Sequence, residues 1–481
     1  MSDDWQFVRL GDIAEITSSK RVKMSDYVQS GIPFFRSKEI IERFKGNQIS
    51  TKLFISNAQF NEIRSKFGVP EAGDILLTSV GTLGVPYQVS ESDTFYFKDG
   101  NLTWFRKFKE GINPRYLYYW LTSPEAKRKF SEVTIGSTQQ ALTIMALKTI
   151  NIQMPPLDYQ NKIAMVMDSL SQKLLLNRQT NQTLEQMAQA LFKSWFVDFD
   201  PVIDNALDSG FFEREFEGEG IPEPLAQRAA VRQAMRQSLR EAGGTDTAAP
   251  VIGGLPSETR ALFPDSFEEH PELGWIPKGW EVKPVSEALD INPKVKLSKG
   301  TTAKFADMKA APTSGYMIDG VIEKEFSGGS KFMADDVLLA RITPCLENGK
   351  TAIVDFLAQD EAGFGSTEFI VMRGKGAVSM PFVACLSRLP EFRAHCIQSM
   401  VGSSGRQRVQ NACFDSFYLT FPPTADVLEK FEQTCLPSFR QMTVARLESE
   451  ALANLRDTLL PKLLSGELEL ANTEIIVEAF A

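Results

Sequence analysis

Two stretches of this chain place apolar side chains at the alternating four- and three-residue spacing of a coiled-coil seam. The first runs Ile163, Met167, Leu170, Leu174, Asn177, Asn181, Leu184, Ala188, Leu191, Trp195. The second runs Phe431, Cys435, Ser438, Met442, Ala445, Ser449, Leu452, Arg456, Leu459, Leu463, each 268 positions beyond its counterpart. A seam of this period keeps one helix face turned toward a partner helix. Both seams are small or polar in the middle, and a pair such as Asn177 and Asn181 lowers stability while selecting one alignment. A helix of ~38 residues is a rod of roughly 57 Å, longer than a small domain is wide. The pattern therefore predicts two long helices that pair antiparallel as a spacer. Asp158, just after Pro155-Pro156, is placed to cap the first. Pro437 predicts a kink or late start in the second, and Pro461 and Gly466 mark its end.

The rest of the chain is different in texture. From Trp5 to Met154 short apolar runs are broken by glycine and proline, as in Gly73-Asp74-Ile75-Leu76-Leu77 and Phe95-Tyr96-Phe97, the signature of strands. One helix is expected from Pro114 to Phe130. This texture returns later: Gly73-Asp74-Ile75-Leu76-Leu77-Thr78 answers to Asp335-Asp336-Val337-Leu338-Leu339-Ala340, and Trp104-Phe105-Arg106 to Val371-Met372-Arg373. Gly136-Ser137-Thr138-Gln139-Gln140 answers to Gly402-Ser403-Ser404-Gly405-Arg406-Gln407, and Ile152-Gln153-Met154-Pro155-Pro156 to Leu419-Thr420-Phe421-Pro422-Pro423. The offset of the last pair is 267 residues, far beyond the roughly 20 to 50 of solenoid repeats. The unit repeated is a globular α+β domain followed by its helix. The expected segments are 1–155, a first domain; 156–199, a helical spacer; 200–275, a connector with an exposed helix from Ala226 to Ala242; 276–423, a second domain; and 424–481, a distal helix and tail. Agreement at turns and apolar positions, with divergence elsewhere, implies one scaffold carrying two surfaces.

Charge sharpens this division. The net charge of −9 resolves into +4 over residues 1–155, +1 over 156–195, −10 over 196–275, +1 over 276–423 and −5 over 424–481. The acidity belongs to the connector and tail, so the domains remain free to carry local basic faces. With 43% hydrophobic and 23% charged residues the composition is that of a soluble globular protein. No apolar run approaches the roughly 18 to 20 residues of a membrane span, and Met1-Ser2-Asp3-Asp4-Trp5 lacks the features of a signal peptide. A cytoplasmic location is expected. Five cysteines without a Cys-x-x-Cys spacing and two histidines argue against a disulfide framework, a metal site and histidine base chemistry.

Catalytic motifs are missing. Asn348-Gly349-Lys350-Thr351 ends like a phosphate-binding loop, but Pro344 stands where the first glycine is required. There is no dinucleotide fingerprint and no nucleophile elbow. The Asn/Asp-Pro-Pro-aromatic tetrapeptide of base-amino methyltransferases is absent, since Met154-Pro155-Pro156-Leu157 and Phe421-Pro422-Pro423-Thr424 lack both ends of it.

Several runs together resemble the specificity (S) subunits of type I DNA restriction-modification systems. They are Trp5-x-x-Val8-x-Leu10-Gly11-Asp12, the Gly-Asp-Ile-Leu-Leu strand, Gly136-Ser137-Thr138-Gln139 and Pro155-Pro156-Leu157. Most specific are Leu191-Phe192-Lys193-Ser194-Trp195-Phe196-Val197-Asp198-Phe199-Asp200-Pro201 and Ala261-Leu262-Phe263-Pro264-Asp265-Ser266-Phe267, leading into Leu273-Gly274-x-Ile276-Pro277-x-Gly279-Trp280. The resemblance implies two target-recognition domains, each reading half of a split site in double-stranded DNA, joined by two long antiparallel coiled-coil-like helices. It implies no cofactor in this chain: S-adenosylmethionine and adenine methylation reside in two modification (methyltransferase) subunits that dock on the helices, and restriction/motor subunits can join. The second copy departs from the pattern at Gly402-Ser403-Ser404-Gly405-Arg406, and the connector is long for the family. Alternatives are a non-DNA-binding duplicated scaffold and the recognition part of a fused methyltransferase-nuclease.

Under that resemblance the candidate DNA contacts are polar or basic loop residues. In the first copy they are Ser18, Ser19, Lys20, Arg21, Arg36, Lys38, Thr78, Ser79, Thr138, Gln139 and Gln140. In the second they are Lys294, Lys296, Arg341, Thr343, Ser403, Ser404, Arg406 and Gln407. Gln and Arg suit bidentate contacts with adenine and guanine. The candidate partner-binding residues are Leu184, Leu191, Phe192, Trp195, Phe196, Leu459 and Leu463, at the leucine- and aromatic-rich ends of the seams.

Overall fold

The computed structural model describes residues 5–46, 49–50, 52–134, 140–218, 220–241, 255–403 and 405–468. The chain forms two compact units, one of Met1–Asn177 with Glu448–Ala481 and one of Arg178–Leu447.

In the first unit, Gln6–Arg9 pairs antiparallel with Asn151–Met154, closing the domain's beginning onto its end. Between them lies a four-stranded antiparallel sheet in the spatial order Glu15–Thr17, Leu102–Arg106, Ile75–Thr78, Pro86–Gln88. A second sheet has the order Tyr27–Val28, Phe54–Ile55, Ile32–Phe35, Tyr96–Phe97, its last pair parallel. Ile75–Thr78 is buried at all four positions, which is why it reads as a continuous apolar run rather than an alternating one. The single helix expected from Pro114 is two, Pro114–Thr122 and Pro124–Val133. Pro124 pushes Ser123 out of the helical region, and the freed Ser123 side chain caps the second helix by accepting from Ala126 N.

The second unit repeats this plan. Glu281–Pro284 pairs with Tyr418–Phe421. One sheet has the order Leu289–Ile291, Phe369–Gly374, Val337–Ala340, Thr351–Ile353, and the other Ile322–Glu325, Thr302–Ala306, Ala362–Gly365, Ser330–Met333. The parallel pair recurs as Thr302–Ala306 with Ala362–Gly365, and the helix pair as Met380–Arg388 and Pro390–Gln398.

The long helices are Leu157–Phe196 and Asp426–Leu464, and each contributes one half to each unit. Within the first unit Ile163, Val166, Met167 and Leu170 bury with Leu452, Leu460, Leu463 and Leu464. Asn177 Nδ2 donates to Glu448 Oε2 at 2.7 Å and to Ser449 Oγ at 3.2 Å. Within the second unit Asn181 Nδ2 donates to Met442 O at 3.3 Å, and Phe192 stacks edge-on to Phe431. The run of partners is antiparallel, as the two seams require. The late start that Pro437 allowed does not occur: the helix begins at Asp426 and is continuous through Pro437. Pro437 and Gln433, whose carbonyl loses its hydrogen bond to the proline, both lie on the exposed face, where water replaces that bond.

The connector is no loose linker. It contains helices Asp200–Ser209, Phe211–Glu215 and Glu223–Glu241, the last beginning ahead of the expected Ala226. Val202, Ile203, Phe211, Phe212, Leu225 and Ala229 join the core of the second unit. Arg232 forms a buried ion pair with Asp204, and Asp208 bridges Arg236 and Arg260 at 2.6 Å each. Among the described residues the connector's acidic side chains other than Asp204 are exposed or half-buried, while the apolar ones pack inward. Among the described residues no helix is long and apolar enough to cross a membrane.

Candidate nucleic-acid interface

The end of one buried strand organises a loop cluster in each unit, through the same backbone hydrogen bonds. In the first unit Ser79 N donates to Asn101 O at 2.8 Å, and Ser79 O accepts from Leu142 N at 2.9 Å. In the second, Arg341 N donates to Glu368 O at 2.9 Å, and Arg341 O accepts from Val409 N at 2.9 Å. Beside them, Val80 bridges to Ala141 and Ile342 to Arg408, both antiparallel. Three positions therefore correspond: Ser79 with Arg341, Asn101 with Glu368, Ala141 with Arg408. Main-chain atoms hold the frame, and the side chains upon it differ completely.

Around the first frame several candidate residues converge. Ser18 Oγ donates to Leu102 O at 3.3 Å and accepts from Gly100 N at 3.4 Å, while Ser37 Oγ donates to Asn101 O at 3.3 Å. The loops carrying Ser19, Lys20 and Arg21, and Arg36 and Lys38, are thereby tied to the same turn as Ser79. Lys20, Arg21, Lys38 and Gln140 are exposed, with the Lys20 ammonium 5.0 Å from the Phe67 ring. Arg36 is half-buried and paired with Glu39, Nη2 to Oε1 at 2.8 Å. Burial pushes the Glu39 carboxyl up, but hydrogen bonds from Arg36 outweigh it and hold the group below its ordinary value.

Other candidates are inside. Thr78 and Ser79 are buried: Thr78 Oγ1 accepts from Val85 N at 2.9 Å, and Ser79 Oγ shares a 2.6 Å hydrogen bond with Thr103 Oγ1. Their expected surface role gives way to a structural one, because the strand that bears them is buried on both faces. Thr138, Gln139 and Ser404 lie outside the described residues.

In the second unit Lys294 and Lys296 are exposed on the loop after Leu289–Ile291, and Ser403 and Arg406 are exposed near the frame. Thr343 N donates to Gln407 O at 3.0 Å and Gln407 N to Thr343 Oγ1 at 2.9 Å, so these two candidates hold each other. Arg341 Nη2 donates to Val409 O at 3.3 Å. Sequence reasoning missed Glu368 and Arg408, which lie between these residues as an ion pair at 2.7 Å. The missed signal was positional, since Arg408 stands 267 residues after Ala141. The phosphate-loop look-alike is structural, with Lys350 Nζ donating to Met308 O at 2.6 Å.

The partner-binding candidates sit in the chain's own cores. Leu191, Phe192, Trp195 and Phe196 are buried in the second unit with Leu184 packed against them, and Leu463 is buried in the first with Leu459 beside it. Trp195 meets Phe263 at 5.1 Å and Phe196 meets Phe382 at 5.0 Å. Aromatic runs of this kind look alike in sequence whether a partner or a distant part of the same chain covers them. Here the connector and second domain do. The large apolar side chains that the long helices leave exposed are Leu157, Met165, Leu175, Leu176, Met187, Val444 and Leu447. Among the described residues no group of His, Cys, Asp and Glu side chains is placed to hold a metal ion.

The chain thus carries one main-chain frame twice, with different side chains upon it. The chain belongs to the specificity (S) subunits of type I restriction-modification systems, the non-catalytic subunits that give such systems their DNA specificity. Residues 2–186 match the family model described as the type I restriction modification DNA specificity domain. The HindI specificity subunit of Haemophilus influenzae is 23% identical, over 97% of this chain and 100% of that one. The MjaIX specificity subunit of Methanocaldococcus jannaschii is 22% identical, over 97% and 94%. The fold is that of the S subunit from M. genitalium, matched with a TM-score of 0.50 at 12% identity over 95% of this chain and 96% of that one.

Proposed function

We propose that each repeated domain reads one half of a bipartite target in double-stranded DNA through the loops gathered on its frame, and that the paired helices dock two modification subunits, with restriction/motor subunits able to join. The observation that carries this reading is the duplicated backbone frame bearing Ser79, Asn101 and Ala141 in one copy and Arg341, Glu368 and Arg408 in the other. Equal frames with unequal side chains suit two related but different half-sites. Exposed Lys20, Arg21 and Lys38 in the first unit, and Lys294, Lys296 and Arg406 in the second, supply cations for phosphate contacts. The exposed methionines and leucines of the long helices, rather than the buried aromatic ends, are the surface offered to the modification subunits. S-adenosylmethionine and the methylation of adenine belong to those subunits.

Exchange of residues 1–155 for the corresponding segment of another family member tests the division of labour, read by sequencing methylated adenines in the host genome. One half-site is expected to change and the other to persist. Simultaneous change of both would overturn the modular reading.

A further inference from the structure

Building on that reading, we infer that Arg408 reads a guanine in the half-site of the second domain and that Glu368 is the positioning residue that aims it. Arg408 is fixed twice over. Its backbone is pinned by reciprocal bonds with Val401, Arg408 N to Val401 O at 3.0 Å and Val401 N to Arg408 O at 3.1 Å. Its guanidinium is held by Glu368, with Nε 2.9 Å from Oε2 and Nη2 2.7 Å from Oε1. Yet the side chain remains 42% exposed, against 23% for Glu368. An arginine immobilised at both ends and still presented to solvent is organised for recognition more than for stability.

The chemistry of the free edge selects the ligand. Glu368 takes the Nε hydrogen and one of the two on Nη2, which leaves the second Nη2 hydrogen and those of Nη1, whose one printed contact among the described residues is a long 3.3 Å approach to Arg406 O. Two parallel donors on a planar end match the O6 and N7 acceptors of guanine in the major groove. A phosphate is the poorer match, because an arginine neutralised by its own carboxylate attracts a polyanion weakly. Directional hydrogen bonding survives that neutralisation and nonspecific attraction does not. The buttress also removes rotamer freedom before binding, so less ordering remains to be done on contact. In the first domain the equivalent position is Ala141, which has no donor, so this reading is confined to one half-site.

The test uses the full chain in its host strain, with methylated adenines mapped for wild type, Arg408→Ala, Arg408→Lys and Glu368→Gln, and thermal unfolding of each purified chain as a folding control. A bipartite methylated motif in wild type is required by the proposed function itself, and its absence would sink that reading, and this one with it, before any variant is considered. Given the motif, Arg408→Ala is expected to relax one guanine position of one half-site by about 5- to 150-fold. Arg408→Lys, which keeps the charge but not the fork, is expected to relax the same position. Glu368→Gln is expected to relax that position partially, with the other half-site unchanged. Should Arg408→Lys preserve full preference, or Arg408→Ala weaken modification equally at all sequences, the residue is a phosphate contact and the inference falls. It also falls if the motif of every folded variant is unchanged, or if Glu368→Gln alters a different position from Arg408→Ala. If Arg408→Ala unfolds, the lysine and glutamine variants decide by the same criteria.

Discussion

Asp336 and Arg373 meet through two hydrogen bonds, Nε to Oδ1 at 2.6 Å and Nη2 to Oδ2 at 2.8 Å, with the carboxylate fully buried. In the first domain Asp74 occupies the same place before the same strand, but its partner is the indole of Trp104, Nε1 to Oδ2 at 2.8 Å. Each aspartate also accepts a main-chain bond from three residues earlier, from Met333 at 2.7 Å and from Glu71 at 3.0 Å. One copy anchors its turn with a charge pair and the other with neutral donors.

The two anchors should therefore fail differently. Arg373→Met strips a buried carboxylate of its cation and is expected to lower stability by about 3 kcal/mol. Trp104→Phe removes one hydrogen bond and is expected to lower it by about 1–2 kcal/mol. Urea unfolding of the full chain measures both, and equal losses would refute the distinction.

Asp74 also makes the first domain sensitive to pH. Burial pushes its carboxyl above the ordinary value of 3.8, against the bonds from Glu71 and Trp104 that pull it down. The folded chain thus holds a proton that the unfolded chain has released, and stability from this group falls as pH rises from 3.8 through the raised value. Both bonds end on the same oxygen, Oδ2, so Asn in place of Asp can accept them without a charge. Asp74→Asn is expected to gain stability relative to wild type as pH rises from about 4 toward neutrality, measured by urea midpoints at each pH. A difference independent of pH would exclude the mechanism.

Much of this architecture was legible in the sequence. The seams showed both helices, because a 3.5-residue period survives divergence of individual side chains: Ser438 and Arg456 hold seam positions that Leu170 and Ala188 hold in the first copy. The paired loops were legible through turn residues. What stayed hidden depended on depth and on distant partners. Thr78 and Ser79 read as exposed polar residues because a strand's last residues have no periodicity to betray their burial. Phe192 and Trp195 read as docking residues because nothing local tells that Phe263, on the far side of the connector, covers them. Arg408 carries no local signal, because the residue that holds its guanidinium, Glu368, is forty residues away and shares no motif with it.

The polar layer of the helix pair offers another test. Asn177 donates to Glu448 and Ser449, and Lys173 lies 3.7 Å from the same glutamate. Asn177→Leu is expected to raise stability by about 1 kcal/mol while loosening the alignment of the helices. Urea unfolding gives the first effect, and heterogeneous hydrogen exchange along Leu157–Phe196 the second. A stabilised variant with uniform exchange would show that Asn177 does not select the alignment.

The connector should unfold locally when its ion pair is cut. Arg232 and Asp204 are exposed by only 8% and 7%, so Arg232→Ala leaves a buried carboxylate alone and is expected to cost about 3–5 kcal/mol. Proteolysis within Glu223–Glu241 is the readout. The double variant Arg232→Met with Asp204→Leu is expected to recover most of the loss. If Arg232→Ala is no more sensitive to protease than wild type, the pair does not hold the helix.

The frame around Ser79 and Arg341 is made of amide and carbonyl groups, which every residue but proline supplies alike. Substitution at its two half-buried corners, Asn101 and Ala141, can therefore exchange an asparagine for a glutamate or an alanine for an arginine without removing a bond from the frame. Shape is inherited through the main chain while meaning is rewritten in the side chains. A lineage under pressure to change what it reads could move through new half-sites by single steps, each leaving a folded protein behind.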